Sequence, residues 1–280
     1  MAQILSSKEY LDNFYPNLKN EIQEHNATPG LAIVTVGDDP ASKVYVRNKV
    51  KMAAEVGIEV KHLVYNTDVT TDFLESELQA LAADNTIHGI IIQLPLPKHL
   101  DVTRLQYAIP KMKDVDGFRH DSFYFPCTPN GCCALLDHYD IDTVGKHCVV
   151  IGRSEIVGKP LAKLLLAADS TVTVCHSKTS HDDLVKICRT ADVIFSAAGT
   201  KNLITNEMIT PKSVVVDISI NRNDEGKLCG DASPEIYGTV AAYTPVPGGI
   251  GPMTVAMLMW NTWQAYYNLE ISDAYKNETN

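Results

Sequence analysis

Three groups of residues in this sequence have the types and spacing that chemistry requires. The first is the run IGRSEIVGKP, residues 151–160, set between a valine pair and a leucine-rich stretch. Strand, glycine turn and helix start, in that order, make a phosphate cradle. A helix N-terminus offers free N–H groups and the positive end of its dipole. Neither standard template fits. A P-loop has four residues between its first glycine and Gly-Lys, then Ser or Thr. Here five separate Gly152 from Gly158-Lys159, and Pro160 stands where a hydroxyl would bind magnesium. The dinucleotide fingerprint puts glycines at 152, 154 and 157, but Ser154 and Val157 occupy two of those positions and the glycine comes at 158. The physical function survives the altered spacing. Gly152 permits the tight turn, Ser154 can donate to a phosphate, Arg153 adds a cation, and Gly158 permits close approach to the helix start. An ordinary βα turn is the plain alternative, and the two anion donors weigh against it.

The end of the next strand, Cys175-His176-Ser177-Lys178-Thr179, bears on which nucleotide is held. An NAD site carries a carboxylate for the ribose hydroxyls about 20 residues after the turn. This segment has a cation between two hydroxyls and no carboxylate, which suits a 2′-phosphate and so NADP in preference to NAD. The third group lies in the first half. Tyr45 and Lys49 are four apart on an expected helix and share a face. A lysine covered by a ring gives up its proton more readily than a solvated one. Gln93 closes an otherwise apolar strand, where it is either a satisfied edge residue or a ligand group. Asp114 and Asp116, in KDVDGF, sit on a loop at the domain boundary, where an Asp before Gly reads as turn chemistry.

These residues need elements to position them. LAIVTVG (31–37) reads as a buried strand, broken by Asp38-Asp39-Pro40. Ser42–Val56 then reads as a helix closed by Gly57. EVKHLVY (59–65) is a strand, and Asp72 with Glu75 resembles a capping pattern opening a helix to about Ala83. HGIIIQLPLP (88–97) is a strand ending in a turn. A short helix near 101–108 follows, then a loop from Lys111 to Gly131. In the second half HCVVIG (147–152) is a strand, Pro160 suits a helix start, and TVTVCH (171–176), DVIFSAA (192–198) and SVVVDISI (213–220) read as three more buried strands. TPVPGGIGPMT (244–254) is a stiff loop before a closing apolar helix. Strands alternating with helices imply an α/β fold with parallel sheets, and ligands then sit at the carboxyl ends of strands. The expected organisation is a catalytic domain over residues 1–120 with helix 253–280 packed back on it, and a Rossmann-like nucleotide domain over 121–252, with a cleft between the two.

The 280 residues carry a formal net charge of -10, which argues against nucleic-acid or anionic-membrane binding. No apolar run approaches the roughly 18 residues of a membrane span. Seven cysteines without a CxxC pair, and no secretory or transit pattern at the N-terminus, point to reduced thiols in the cytoplasm. Cys132-Cys133 reads as buried small hydrophobes in preference to a redox pair.

LAIVTVGDDPASKVYVRNK, GIIIQLPLP, KDVDGF, PCTPNG, IGRSEIVGKP, CHSKT, DISINR and TPVPGGIGPMT occur together and in this order. In this combination the chain resembles the bifunctional methylenetetrahydrofolate dehydrogenase/methenyltetrahydrofolate cyclohydrolase family, from about residue 28 to about 262. The resemblance implies NADP-dependent oxidation of 5,10-methylenetetrahydrofolate to the methenyl cation, then hydrolysis to 10-formyltetrahydrofolate. It implies that Lys49, in a YVxxK motif, is the key catalytic group, that Gln93 tunes it, that Tyr45 stacks on the folate, and that Asp116 pairs with the pterin. Gly248 and Gly249 match a loop approaching folate and nicotinamide. Gly152, Arg153, Ser154, Ser177 and Ile220 match cofactor positions, and Lys178 joins them on the 2′-phosphate reading. No metal site is implied. The family also suggests a homodimer through the nucleotide domain. RHDSFYF, residues 119–125, replaces the family's Asn-x-Gly-x-Leu pattern, and the usual Gly-Lys opening at the N-terminus is absent. Three other readings stay open: a dehydrogenase without cyclohydrolase activity, a non-catalytic nucleotide-binding module, and another α/β dehydrogenase such as one for shikimate-like substrates.

Overall fold

A computed structural model of the chain describes residues 2–271, so residues 272–280 of the expected closing helix lie outside it. The first half contains β1 (Gln3–Ile4), α1 (Ser7–Glu24), β2 (Gly30–Val36), α2 (Pro40–Val56), β3 (Glu59–Tyr65), α3 (Thr71–Ala83), β4 (Gly89–Ile92), α4 (Val102–Ala108) and α5 (Cys127–His138). The second contains β5 (His147–Ile151), α6 (Gly158–Ala167), β6 (Thr171–Cys175), α7 (His181–Arg189), β7 (Val193–Ser196), β8 (Val214–Asp217), β9 (Asn221–Arg222), β10 (Leu228–Cys229), β11 (Ala242–Tyr243) and α8 (Ile250–Tyr266). Two compact units result. One holds residues 13–127 and 255–271, the other residues 2–12 and 128–254.

The first unit is built on a parallel sheet in the order β3-β2-β4. β2 is central, and its apolar, β-branched residues Leu31, Ala32, Ile33 and Val34 are buried. α2 begins two residues before the expected start. Asp39 is its N-cap, accepting from the Ser42 N–H at 2.7 Å, and Pro40 follows at the first helical position. Gly57 ends it at φ 94°, as expected of a C-terminal glycine. The cap of α3 differs from the sequence reading. Thr70 accepts from the Phe73 N–H, while Asp72 and Glu75 both pair with Arg104. β4 stops at Ile92, and Ile90 N–H donates to Lys113 O at 2.8 Å, so the segment leading to Asp116 runs along the strand. α8 contributes Trp263 to this unit, buried, with its Nε1–H on Glu21 at 2.9 Å.

The second unit has a six-stranded parallel sheet in the order β1-β11-β8-β7-β5-β6. β5 pairs with β6 on one side and β7 on the other, so the direction of winding reverses at its carboxyl end, where such sheets bind ligands. Val149, Phe195 and Val215 fill the core beneath. β6 is not the buried strand its composition suggests. It is an edge, and Val174 is 41% exposed. The expected loops at 111–131 and 244–254 both turn helical before their ends, at Cys127 and Ile250, because prolines suit a first helical turn. Among the described residues no helix is long and apolar enough to cross a membrane.

Candidate active site

In the first unit the chemistry gathers at the carboxyl ends of β2 and β4. α2 runs past them and carries Tyr45, 37% exposed, one turn before Lys49, which is 7% exposed. Lys49 Nζ donates to Gln93 Oε1 at 3.2 Å, and Gln93 Nε2 donates to Leu94 O at 2.8 Å. The carbonyl of Leu94 therefore dictates which way the Gln93 amide points, leaving its oxygen for the lysine. Gln93 also lines a pocket of about 320 Å³ with Thr35, Ser42, Arg47 and His62.

Asp114 and Asp116 have different surroundings. Asp114 accepts backbone N–H groups from Arg119 at 2.9 Å and Phe118 at 3.4 Å, which is turn chemistry. Burial pushes its carboxyl up to about 6, against the pull of those donors. Asp116 is buried too, and burial also raises its pKa, opposed by the Lys49 charge and the Cys127 thiol. No backbone N–H of the described residues occupies its carboxylate, so acceptor capacity is left for a ligand. Cys127 is a protonated thiol, pushed well up by burial and then by Asp116. The atypical segment after Asp116 has its own order. Arg119 pairs with Asp121 at 2.9 Å and donates to the carbonyls of Tyr107 and Ile109, both at 2.9 Å.

In the second unit the turn after β5 has no room for side chains. A Cβ at Gly152, φ 124°, would lie 2.4 Å from Ala197 O, and one at Gly158 would lie 2.3 Å from Gly152 O. Ser154 Oγ accepts from the N–H groups of Val157 and Gly158 at 3.2 and 3.3 Å, so its own hydroxyl proton is available to donate outward. Lys159 pairs with Glu155 at the surface. Gly152 N–H donates to Cys175 O at 2.9 Å and joins the turn to the end of β6, where Ser177 and Lys178 are exposed. Arg153 and Lys178 make no ion pair among the described residues. A close-approach cradle with two spare cations beside it fits a phosphorylated dinucleotide. Gly152→Ala is expected to cost about 1–3 kcal/mol in strain. Chemical denaturation checks this, and an unchanged midpoint would refute the close contact.

Ile220 follows β8 and is 42% exposed. Gly248, at φ 106°, is held through its carbonyl by both the N–H and Oγ of Ser7, each at 2.9 Å. Gly249 is buried, and a Cβ there would meet Pro245 O at 2.7 Å.

Two residues escaped the sequence reading. The Asp231 carboxylate, 0% exposed, accepts from Ser196 Oγ, Ser219 Oγ and the N–H groups of Ala198 and Thr200 at 2.7–2.9 Å, and from Asn221 Nδ2 at 3.0 Å. It ties together the loops after β7 and β8, against one of which Gly152 packs. Asp217, pushed up to about 6 by burial, accepts the N–H groups of Asp231 and Ala232 in turn. In sequence Gly-Asp-Ala-Ser around Asp231 looks like any surface turn. Asn261, the other, sits in an apolar helix where nothing singles it out.

Residues 5–116 match the catalytic domain of tetrahydrofolate dehydrogenase/cyclohydrolase, and residues 126–270 match its NAD(P)-binding domain. The bifunctional protein FolD of Acidovorax sp. (strain JS42) is 51% identical over 255 residues, spanning 87% of this chain and 90% of that protein. Among solved structures, the bifunctional enzyme FolD of Campylobacter jejuni, a methylenetetrahydrofolate dehydrogenase/cyclohydrolase, has a TM-score of 0.91 at 39% identity, covering 96% of this chain and 99% of that one. The methylenetetrahydrofolate dehydrogenase-cyclohydrolase (FolD) of Trypanosoma brucei, solved with NADP cofactor and inhibitor, has a TM-score of 0.89 at 32% identity, covering 95% and 98%.

Proposed function

The chain belongs to the tetrahydrofolate dehydrogenase/cyclohydrolase family, and on that premise we propose how its own residues perform the two reactions. The protein is a bifunctional enzyme of one-carbon metabolism. It oxidises 5,10-methylenetetrahydrofolate with NADP and hydrolyses the resulting 5,10-methenyl compound to 10-formyltetrahydrofolate. The observation that carries the residue assignments is the Lys49 Nζ–Gln93 Oε1 contact of 3.2 Å, with the Asp116 carboxylate buried in the same unit and drawn on by the Lys49 charge.

Asp116 binds the amino and ring N–H edge of the pterin, a two-donor face that a carboxylate matches with two acceptors. Tyr45 offers an exposed ring for the folate to stack on. In the hydrolysis Lys49 takes a proton as water adds to the methenyl carbon. It returns that proton to the folate nitrogen that leaves as the ring opens, while the carbinol hydroxyl gives its own proton to solvent as the formyl carbonyl forms. One amine thus serves as base and then as acid, and the hydrolysis releases one proton net. Gln93 aims it by accepting from Nζ. Gly248 presents backbone, with no side chain in the way, on the loop assigned to folate and nicotinamide, and Gly249 lets that loop close against Pro245 O.

NADP, when bound, supplies the hydride acceptor. Gly152, Arg153, Ser154, Ser177, Lys178 and Ile220 hold it, with Arg153 and Lys178 directed at the 2′-phosphate. Lys178→Ala is expected to weaken the use of NADP and leave that of NAD unchanged. Initial rates with the two cofactors in parallel test this, and an equal loss with both would remove Lys178 from the assignment. The reading extends to a homodimer through the nucleotide-binding unit, supported by the half-exposed edge strand β6, and to a cytoplasmic location, supported by seven free thiols.

A further inference from the structure

We propose that Asn261 is the positioning residue for the pterin-binding carboxylate, acting through a clasp on the two chain segments that flank Asp116. The inference rests on the assignment of Asp116 to the pterin. Asn261 lies on α8, far from Asp116 in sequence, and is 2% exposed. Its Nδ2 donates to Val115 O at 2.9 Å and to Phe125 O at 3.0 Å, with Cys127 Sγ at 3.6 Å. An amide nitrogen has two hydrogens, so the two carbonyls take both and the sulfur is a looser neighbour. Val115 immediately precedes Asp116. Phe125 begins the strand of chain that returns against it.

The two segments need such a clasp because they press together without a ladder. Gly117, at φ 70°, has so little room that a Cβ would fall 2.7–2.8 Å from the backbone of Phe125 and Pro126. Cys127 N–H reaches Asp116 O only at 3.4 Å, and Cys127 Sγ donates to Val115 O at 3.3 Å. Farther from Asp116 the segments are joined by Tyr124 Oη to Met112 O at 2.9 Å and Ser122 Oγ to Asp114 O at 3.1 Å, while at the Asp116 end the shortest tie is the Asn261 amide. Among the described residues Asp116 receives no backbone N–H and only the Cys127 thiol beside it, so its orientation depends mainly on where its own backbone is held. An error of about an ångström at a recognition group is enough to cost a large factor in turnover or binding.

The pair of segments also includes the atypical stretch before Phe125. The clasp takes hold of main-chain carbonyls, so it tolerates any side chain in RHDSFYF. This accounts physically for a changed loop beside an unchanged carboxylate.

The test is a double-mutant cycle with tetrahydrofolate as the titrated ligand, measured on the full chain. Asn261→Ala is expected to raise the tetrahydrofolate dissociation constant roughly 10- to 100-fold, the loss of one or two well-made hydrogen bonds. The NADP dissociation constant should be unchanged. In an Asp116→Asn background the same substitution should add little further loss, because it acts only through Asp116. Asn261→Ser, which keeps one donor, should fall between and provides a variant should the alanine form fail to fold. Equal loss of tetrahydrofolate binding in both backgrounds, or parallel loss of NADP and tetrahydrofolate binding, would mean a purely structural role and overturn the proposal. If Asp116→Asn alone leaves tetrahydrofolate binding intact, it is the pterin assignment that fails. If Asp116→Asn weakens binding and Asn261→Ala does not, only the clasp fails.

Discussion

Lys49→Met is expected to lower the rate of methenyltetrahydrofolate hydrolysis by about 100- to 10,000-fold, the span that a positioned acid–base group contributes. The expectation follows from a proton count. Water must lose one proton as it adds and a second as the carbinol becomes the formyl carbonyl, and the departing folate nitrogen must gain one, so one proton is released net. The first unit brings one amine, Lys49, to Gln93 and within electrostatic reach of Asp116. The variant fills the same buried space with an unbranched apolar chain, so its core stays packed. It leaves Asp116 without the cation that opposes the effect of burial, and the Asp116 carboxyl is then expected to rise further. The nucleotide-binding unit has its own sheet and core, so NADP titration should be unaffected. Stopped assays of added methenyl compound, set against the rate without enzyme, check the result. Hydrolysis at the parental rate would take Lys49 out of the mechanism.

Asp116→Asn is expected to raise the KM for 5,10-methylenetetrahydrofolate roughly 100-fold or more, because two hydrogen bonds to a charged group contribute about 1.5–3 kcal/mol each. The amide presents one acceptor and one donor to an edge that has only donors. One bond is lost and one contact turns repulsive. The same substitution removes a buried charge, whose cost is already seen in the raised pKa of Asp116. Thermal stability should therefore hold or rise while substrate affinity falls. That separation distinguishes a recognition residue from a structural one. A KM within error of the parent would show that Asp116 does not hold the pterin.

The Tyr45, Lys49 and Gln93 cluster of the candidate site is legible in the sequence because its spacing is local. Tyr45 and Lys49 share a face by helical repeat alone, and Gln93 is conspicuous as the first polar residue after three isoleucines. The cradle at Gly152 was readable for the same reason, although only the structure reveals why position 158 must be glycine: its contact is with the Gly152 carbonyl. Asp231 and Asn261 were not readable. Both act on groups brought to them by the fold, side chains and backbone N–H groups 10 to 35 residues away for Asp231 and two carbonyls 136 and 146 away for Asn261. No local pattern marks such partners. β6 is an edge although its composition reads as buried, since edge and central strands of a parallel sheet share a β-branched composition and pairing on one side only is a property of topology. α3 was capped by Thr70 and not by Asp72 because Asp72 and Glu75 are engaged by Arg104, 29 residues or more away in the chain.

The central claim is that one protein both oxidises and hydrolyses. The most direct measurement mixes the purified protein with 5,10-methylenetetrahydrofolate and NADP and follows NADPH and the methenyl compound together in one cuvette. NADPH is expected to accumulate while the methenyl compound is consumed faster than in buffer alone. Accumulation of the methenyl compound in step with NADPH, decaying only at the rate without enzyme, would contradict it.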